Sequence, residues 1–273
     1  MTSTVKGRLI ARGRTAEVFA WQDDQVLKLF HDWVPEDWVR HELEMGRALS
    51  ATSLPTPRLL DSLSLNGRRG IIFERVAGPS MLQLLTTQPW RLVSLARQLA
   101  ELHSMIHAQN GAGFASVHSS LLATLTQTES LPTQIKGDVL NLLRRLPDGT
   151  ALCHFDFHPD QVMLTPHGPM ILDWMTARQG DPLADVARTL VLVTFGQVPH
   201  INRLKRNLIN IFRRAVGRSY LGRYLELHPR VTQGQVEAWM IPVAAARLIE
   251  NIPGEQQTIL EFIARSLREP RAA

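Results

Sequence analysis

Residues 153–164, CHFDFHPDQVML, set His154, Asp156, His158 and Asp160 at every second position, with hydrophobic residues on both sides. Ionisable groups are costly beside buried apolar surface unless they are paired or do chemistry. Three uses fit these residue types. A strand would put the four on one face, where they could bind zinc or a pair of metals. A carboxylate with further oxygen donors downstream could serve phosphoryl transfer. The group could also be a plain polar turn. Pro159 argues against a regular strand through Asp160, and no second cluster of histidine and carboxylate ligands is evident downstream. The metal-hydrolase use is therefore the weakest of the three.

Phosphoryl transfer needs a carboxylate to accept or orient the acceptor's hydroxyl proton. A few residues on it needs an amide oxygen for magnesium, and on the next hairpin a second carboxylate for the metal that bridges the phosphates. Asp156 is followed five positions later by Gln161, and twelve positions beyond that by Asp173 in ILDW. A carboxylate directly after an apolar strand stands at a strand end, facing a cleft. Taken alone, Asp173 reads as a turn or cap residue; the three at this spacing read as a set. The same chemistry needs a cation on the phosphates, steadied by a helix glutamate. Lys28 lies between apolar neighbours in VLKLF, and strand alternation points it away from the face of Leu27 and Leu29.

These residues need elements to hold them. GRLIAR, AEVFAW and QVLKLF read as short strands separated by turns. PEDWVRHELEMGRALSA reads as a helix, with a proline and acidic residues at its start, and TPRLLDSLSLNGRRGIIFERV as a hairpin turning at Asn66-Gly67. After Gly78-Pro79 the pattern turns helical: 90–108 is a long amphipathic helix and 131–146 a second. ALCHFD is a short buried strand; VMLT and PMILDW form a hairpin around PHG; four more helices follow near 183–195, 203–216, 233–250 and 254–268. The order is a β-rich lobe with one helix, a Gly-Pro joint near 78, and a helical lobe with a small β insert. Ligands favour such lobe interfaces.

The 273 residues, 44% hydrophobic and 20% charged, suit one large domain or two lobes. No apolar run is long enough to span a bilayer, the start has no signal-peptide core, and Cys153 is the single cysteine. A cytoplasmic protein without a membrane partner is expected. The formal charge is +5, with arginine concentrated in 201–230. That segment reads as a solvated helix face; few aromatics interleave it, so nucleic acid is not an expected partner.

The stretch CHFDFHPDQVML…ILDWMTARQGDPLADVART resembles the aminoglycoside phosphotransferase and choline kinase-like family, whose usual pattern is His-x-Asp-x-x-x-x-Asn followed by Asp and an aromatic residue or histidine. GRTAEVFAWQDDQVLKLF is similar to that family's nucleotide-loop hairpin and lysine strand, and LPTPRLLD, IIFERVAGPSM and LARQLAELHSMIH to its middle region, so the resemblance covers nearly the whole chain. It implies an α+β, two-lobed, protein-kinase-like fold, with an N-lobe over 1–77 and a C-lobe over 78–273. It also implies ATP- and Mg²⁺-dependent phosphorylation of a small-molecule hydroxyl. Asp156 would be the catalytic base, and Gln161 and Asp173 the metal ligands. Lys28 would clamp the phosphates and Glu42 would hold it, with Glu44 the competitor. Gly13 and Thr15 would form a sparse nucleotide loop, and Glu74 to Val76 would offer backbone groups to adenine. His154 is expected to be a scaffold rather than a proton carrier, and Asp181 and Asp185 to cap a helix and brace the loop. Gln161 departs from the family's asparagine: it keeps the amide oxygen but adds a methylene, and magnesium tolerates little geometric error. The alternative is a nucleotide-binding pseudokinase. Acceptor identity and oligomeric state are not encoded in these motifs.

Overall fold

The computed structural model describes residues 6–196 and 203–268. The chain divides into two compact units, Met1–Gln83 with Asp160–Thr176, and Leu84–Pro159 with Ala177–Ala273.

The first unit is built on an antiparallel sheet of β1 (Leu9–Arg12), β2 (Ala16–Ala20), β3 (Gln25–Phe30), β4 (Leu59–Leu65) and β5 (Arg68–Glu74), in the order β1-β2-β3-β5-β4. Helix α1 (Glu36–Leu49) connects β3 to β4. Strand alternation divides β3: Leu27 and Leu29 pack with Phe19 and Ile72 on one face, while Phe30 packs with Ala16, Val39 and Ile71 on the face that α1 covers. Lys28 shares the parity of Phe30, so the sequence delivers it to the α1 side. The β4–β5 hairpin turns at Asn66-Gly67 with both φ values positive, 52° and 82°, as the tight hairpin turn requires. Past β5, Gly78 adopts φ 152°, and a Cβ there would lie 2.2 Å from the Leu164 carbonyl oxygen. Only glycine fits that approach. Ser80 then opens α2 (Met81–Thr87), its Oγ accepting the Gln83 N–H.

The second unit begins with α3 (Leu92–His107), α4 (Val117–Gln127), α5 (Thr133–Leu143) and the short strand β6 (Ala151–Cys153). The chain returns to the first unit for the hairpin β7 (Val162–Thr165) and β8 (Gly168–Ile171). It re-enters the second unit through β9 (Arg178–Gly180), which pairs with β6. Helices α6 (Pro182–Phe195), α7 (Arg203–Leu227), α8 (Gln233–Arg247) and α9 (Gln256–Arg268) complete it. A large apolar core joins α4, α5, α6, α8 and α9 around Leu125, Val191 and the fully buried Trp239.

Four elements differ from the sequence expectation, the short helix α2 among them, which ends six residues after it begins. α4 carries four Ser and Thr residues in eleven, which weakens its intrinsic preference; Val117, Leu121 and Leu125 hold it in the core and Ser116 caps it. α7 runs on past 216 to Leu227, through Gly217 and Gly222. β9 is only three residues long, below what a strand pattern can reveal. Residues 201–202 of the basic segment lie outside the described residues.

Candidate active site

Within the first unit, Lys28 Nζ donates to Glu42 Oε1 at 2.7 Å and to Asp173 Oδ1 at 2.9 Å. Helical phase explains the choice of glutamate. Val39, Glu42, Met45 and Leu49 form the buried stripe of α1, whereas Glu44 is exposed on another face. Burial works against the Lys28 ammonium, but Glu42 and Asp173 outweigh it and hold its pKa above that of an ordinary lysine. Glu42 Oε2 is buried and has no hydrogen-bond partner among the described residues.

Asp173 follows β8 with φ 57°, a left-handed conformation for a non-glycine residue. Gln161 immediately precedes β7, and its carbonyl oxygen accepts the Leu172 N–H at 2.8 Å. Gln161 and Asp173 therefore emerge at the same open end of one hairpin. The hairpin is anchored by the Leu164 N–H to Pro79 O bond at 2.9 Å and by Ser80 Oγ donating to Asp160 at 2.7 Å. The exposed Gly13 and half-buried Thr15 sit in the β1–β2 turn, which is closed by Gly13 N–H to Ala16 O. Glu74 ends β5 in an ion pair with Arg58 at 2.8 Å. The N–H groups of Glu74 and Arg75 donate to Arg58 O and Asp24 O, and Val76 follows, half-buried.

In the second unit, β6 delivers the chain to His154, and α6 holds the residues that follow. Asp185 accepts the N–H of His154 on Oδ2 at 2.5 Å and that of Phe155 on Oδ1 at 2.9 Å. Thr189 Oγ1 donates to Phe157 O at 2.7 Å, and Arg188 Nε to Phe155 O at 3.3 Å. Residues 185, 188 and 189 share one helical face, so a single helix fixes the loop that carries Asp156. Phe155 has φ 61°, a cost that over-determined surroundings sustain. His154 Nδ1 accepts the Asp156 N–H at 3.3 Å, a scaffolding contact. His158 Nε2 stands 3.8 Å from Asp156 Oδ2. Asp181 caps α6 through the Leu183 N–H, and Cys153 is a buried core residue whose thiol pKa burial pushes up.

Sequence reasoning missed the layer beneath Asp185. His103 and His107 on α3 are buried against it, with Nε2 atoms 3.0 and 3.4 Å from Oδ2. The His103 approach is out of line for a hydrogen bond. Their Nδ1 atoms meet Tyr220 Oη and Tyr224 Oη on α7 at 2.5 and 2.8 Å. The signal was available: two histidines four apart and two tyrosines four apart, each pair on one helix face. Burial and the two histidines act in opposite directions on Asp185, and the histidines prevail, holding its pKa below the usual range. These three groups are close enough to hold a metal, but the hydrogen bonds to two tyrosines and two backbone N–H groups already account for the arrangement. In the basic segment, Arg223 pairs with Glu101 at 2.8 Å, and Glu226 pairs with Arg97 at 2.8 Å.

The model of the phosphotransferase enzyme family matches residues 6–229. An aminoglycoside-3'-phosphotransferase of type VIII shares the fold at 18% identity and a TM-score of 0.62, over 89% of this chain and 92% of that one. An amicoumacin kinase in complex with AMP-PNP, Ca²⁺ and Ami does so at 12% identity and 0.62, over 97% and 89%. A choline/ethanolamine kinase family protein from Mesorhizobium loti does so at 16% and 0.57, over 98% and 90%. At these identities the likeness is one of fold. No curated protein matches the sequence.

Proposed function

Because the chain belongs to the phosphotransferase enzyme family, the small-molecule kinases, we propose that it transfers the terminal phosphoryl group of ATP to a hydroxyl of a small molecule, with magnesium. The observation that carries this reading is Lys28 held between Glu42 and Asp173, a cation fixed for phosphate and paired against the cost of its burial. In the amicoumacin kinase an ATP analogue and a divalent cation are bound together.

The donor set suits the metal. Asp173 offers a carboxylate and Gln161 an amide oxygen from the same end of one hairpin, hard oxygen ligands of the kind magnesium takes. Held there, Mg²⁺ supplies charge neutralisation on the phosphates. Lys28 binds the α- and β-phosphates and Glu42 keeps it in place. Gly13 and Thr15 cover the phosphates with backbone groups. The Glu74–Val76 connector meets adenine; since the Glu74 and Arg75 N–H groups are committed elsewhere, the donor falls to Val76. Asp156 accepts or orients the proton of the acceptor hydroxyl. Residues 1–77 thus serve the nucleotide, and 78–273 carry the metal ligands, the catalytic loop and the acceptor site. An ATP-consuming enzyme of this kind works in the cytoplasm.

The test is a screen of hydroxylated metabolites and antibiotics for ADP release, followed by recovery of γ-labelled phosphate on the acceptor. Label on a hydroxyl oxygen supports the reading. Nucleotide binding without transfer to any compound contradicts it and favours the pseudokinase that Gln161 suggests.

A further inference from the structure

Asp156 lies beside a chain of alternating charges. Its Oδ1 is 3.9 Å from Arg188 Nη2. Arg188 is largely buried: Nη2 donates to Glu250 Oε1 at 2.7 Å, and the guanidinium carbon lies 5.9 Å from the centre of the Phe155 ring. Behind it, Arg247 donates to Glu250 Oε2 at 3.3 Å and to both oxygens of Glu255 at 2.6 and 3.0 Å. Burial opposes the charge of Arg247, but Glu255, Glu250 and Asp156 outweigh it and raise its pKa. The two arginines and two glutamates cancel. A brace between α6 and the 248–250 turn would explain Arg247 and Glu255. Arg188 Nε also holds the Phe155 carbonyl, which explains one edge of the guanidinium and leaves the Nη edge beside the proposed base.

We propose that Arg188 is a specificity-determining residue for the acceptor. The acceptor would present oxygen, uncharged or anionic, beside the reacting hydroxyl, rather than a cluster of ammonium groups. The inference rests on the phosphotransfer role of Asp156. Arg188 Nη2 faces Asp156, and Nη1 of the same planar fork makes no hydrogen bond among the described residues. A group whose hydroxyl reaches Asp156 comes beside a guanidinium whose Nη2 is 3.9 Å from that carboxylate, and N–H donors there select an oxygen acceptor. A polycation needs surplus negative charge around it. Here Glu250 and Glu255, the carboxylates behind Arg188, are committed to arginines. Ammonium groups brought against Arg188 would meet a like charge.

The experiment is steady-state phosphorylation by the whole chain, with ATP and magnesium, of a library sorted by charge: uncharged polyols and nucleosides, sugar acids, and the polycations gentamicin and streptomycin. The best substrates should be uncharged or anionic. Arg188→Gln should raise their KM roughly tenfold or more, the loss of one charged hydrogen bond, with KM for ATP within about twofold, and Arg188→Lys should recover part of the loss. Glu250→Gln, which keeps the bond to Arg188 but removes its counter-charge, should shift preference further toward sugar acids. Highest kcat/KM for gentamicin or streptomycin overturns the inference. So does an Arg188→Gln or Glu250→Gln enzyme with unchanged acceptor preference. Transfer to no member of the library overturns the phosphotransfer reading itself, and the inference with it.

Discussion

Lys28 is shared by two carboxylates, and the sharing decides what each substitution does. Lys28→Ala removes the phosphate cation and leaves Glu42 buried without it, so nucleotide use should collapse. Glu42→Ala should raise KM for ATP less, because Asp173 still holds the ammonium at 2.9 Å. The double variant should resemble Lys28→Ala alone, since the pair acts as a unit; strictly additive losses in kcat/KM would separate the two residues. Gln161 poses a different question, because its amide must reach a metal from one methylene further out than asparagine would. Gln161→Asn should retain or raise activity, while Gln161→Leu, similar in bulk but without an oxygen, should abolish it. The wild type should show a raised magnesium requirement that manganese partly relieves. Three equal magnesium titrations would remove residue 161 from the ligand set.

At the scale of elements, α6 does most of the positioning, and its work was only partly legible. Asp181 and Asp185 were readable as cap and brace because GDPLADVAR is a helix start with acidic residues at its first turns. Arg188 and Thr189 were not, since a pattern that locates a helix does not say which loop its polar face will meet. The two histidines and the two tyrosines were each visible as a pair four apart, but their meeting was hidden for the same reason: each partner sits 117 residues away in sequence. This buried layer makes stability depend on pH. Burial first, and the neighbouring His103 second, push His107 down to about 4 from 6.5. Asp185 at 3.4 Å pulls the other way, and Tyr224 bonds the far nitrogen at 2.8 Å. Between those two pH values the unfolded chain takes up a proton that the folded chain refuses. Stability is therefore full above about 6.5 and falls as pH drops toward 4, by up to about 3 kcal/mol. Asp185 is depressed instead, so its contribution is present above its ordinary 3.8 and lost only in stronger acid. Urea denaturation at pH 7 and 4.5 should show the first slope, and His107→Gln should flatten it; an unchanged slope would assign it to other groups. Asp185→Ala strands two backbone N–H groups and two histidines and should cost about 3–5 kcal/mol in the same assay at pH 7.

At the scale of the whole molecule, the strand and helix periods announced a β-rich part followed by a helical part, and the motifs of CHFDFHPDQVML and ILDW announced the family. What periodicity could not convey is that the two units interleave, with Asp160–Thr176 returning to the first. The reason lies in single contacts: Gly78 against Leu164, Ser80 against Asp160, and Lys28 against Asp173. A fragment ending at Gln83 lacks all three partners and should show no cooperative thermal unfolding, whereas independent folding of that fragment would deny the hairpin its structural part. The central claim is that this chain moves a phosphoryl group to a hydroxyl under the control of Asp156. The most direct measurement compares ATP-dependent transfer by the wild type and Asp156→Asn on the best acceptor, together with ATP affinity. Asp156→Asn should lose about 10²–10⁴-fold in kcat with ATP affinity nearly unchanged. Turnover by Asp156→Asn within about threefold of wild type would contradict it.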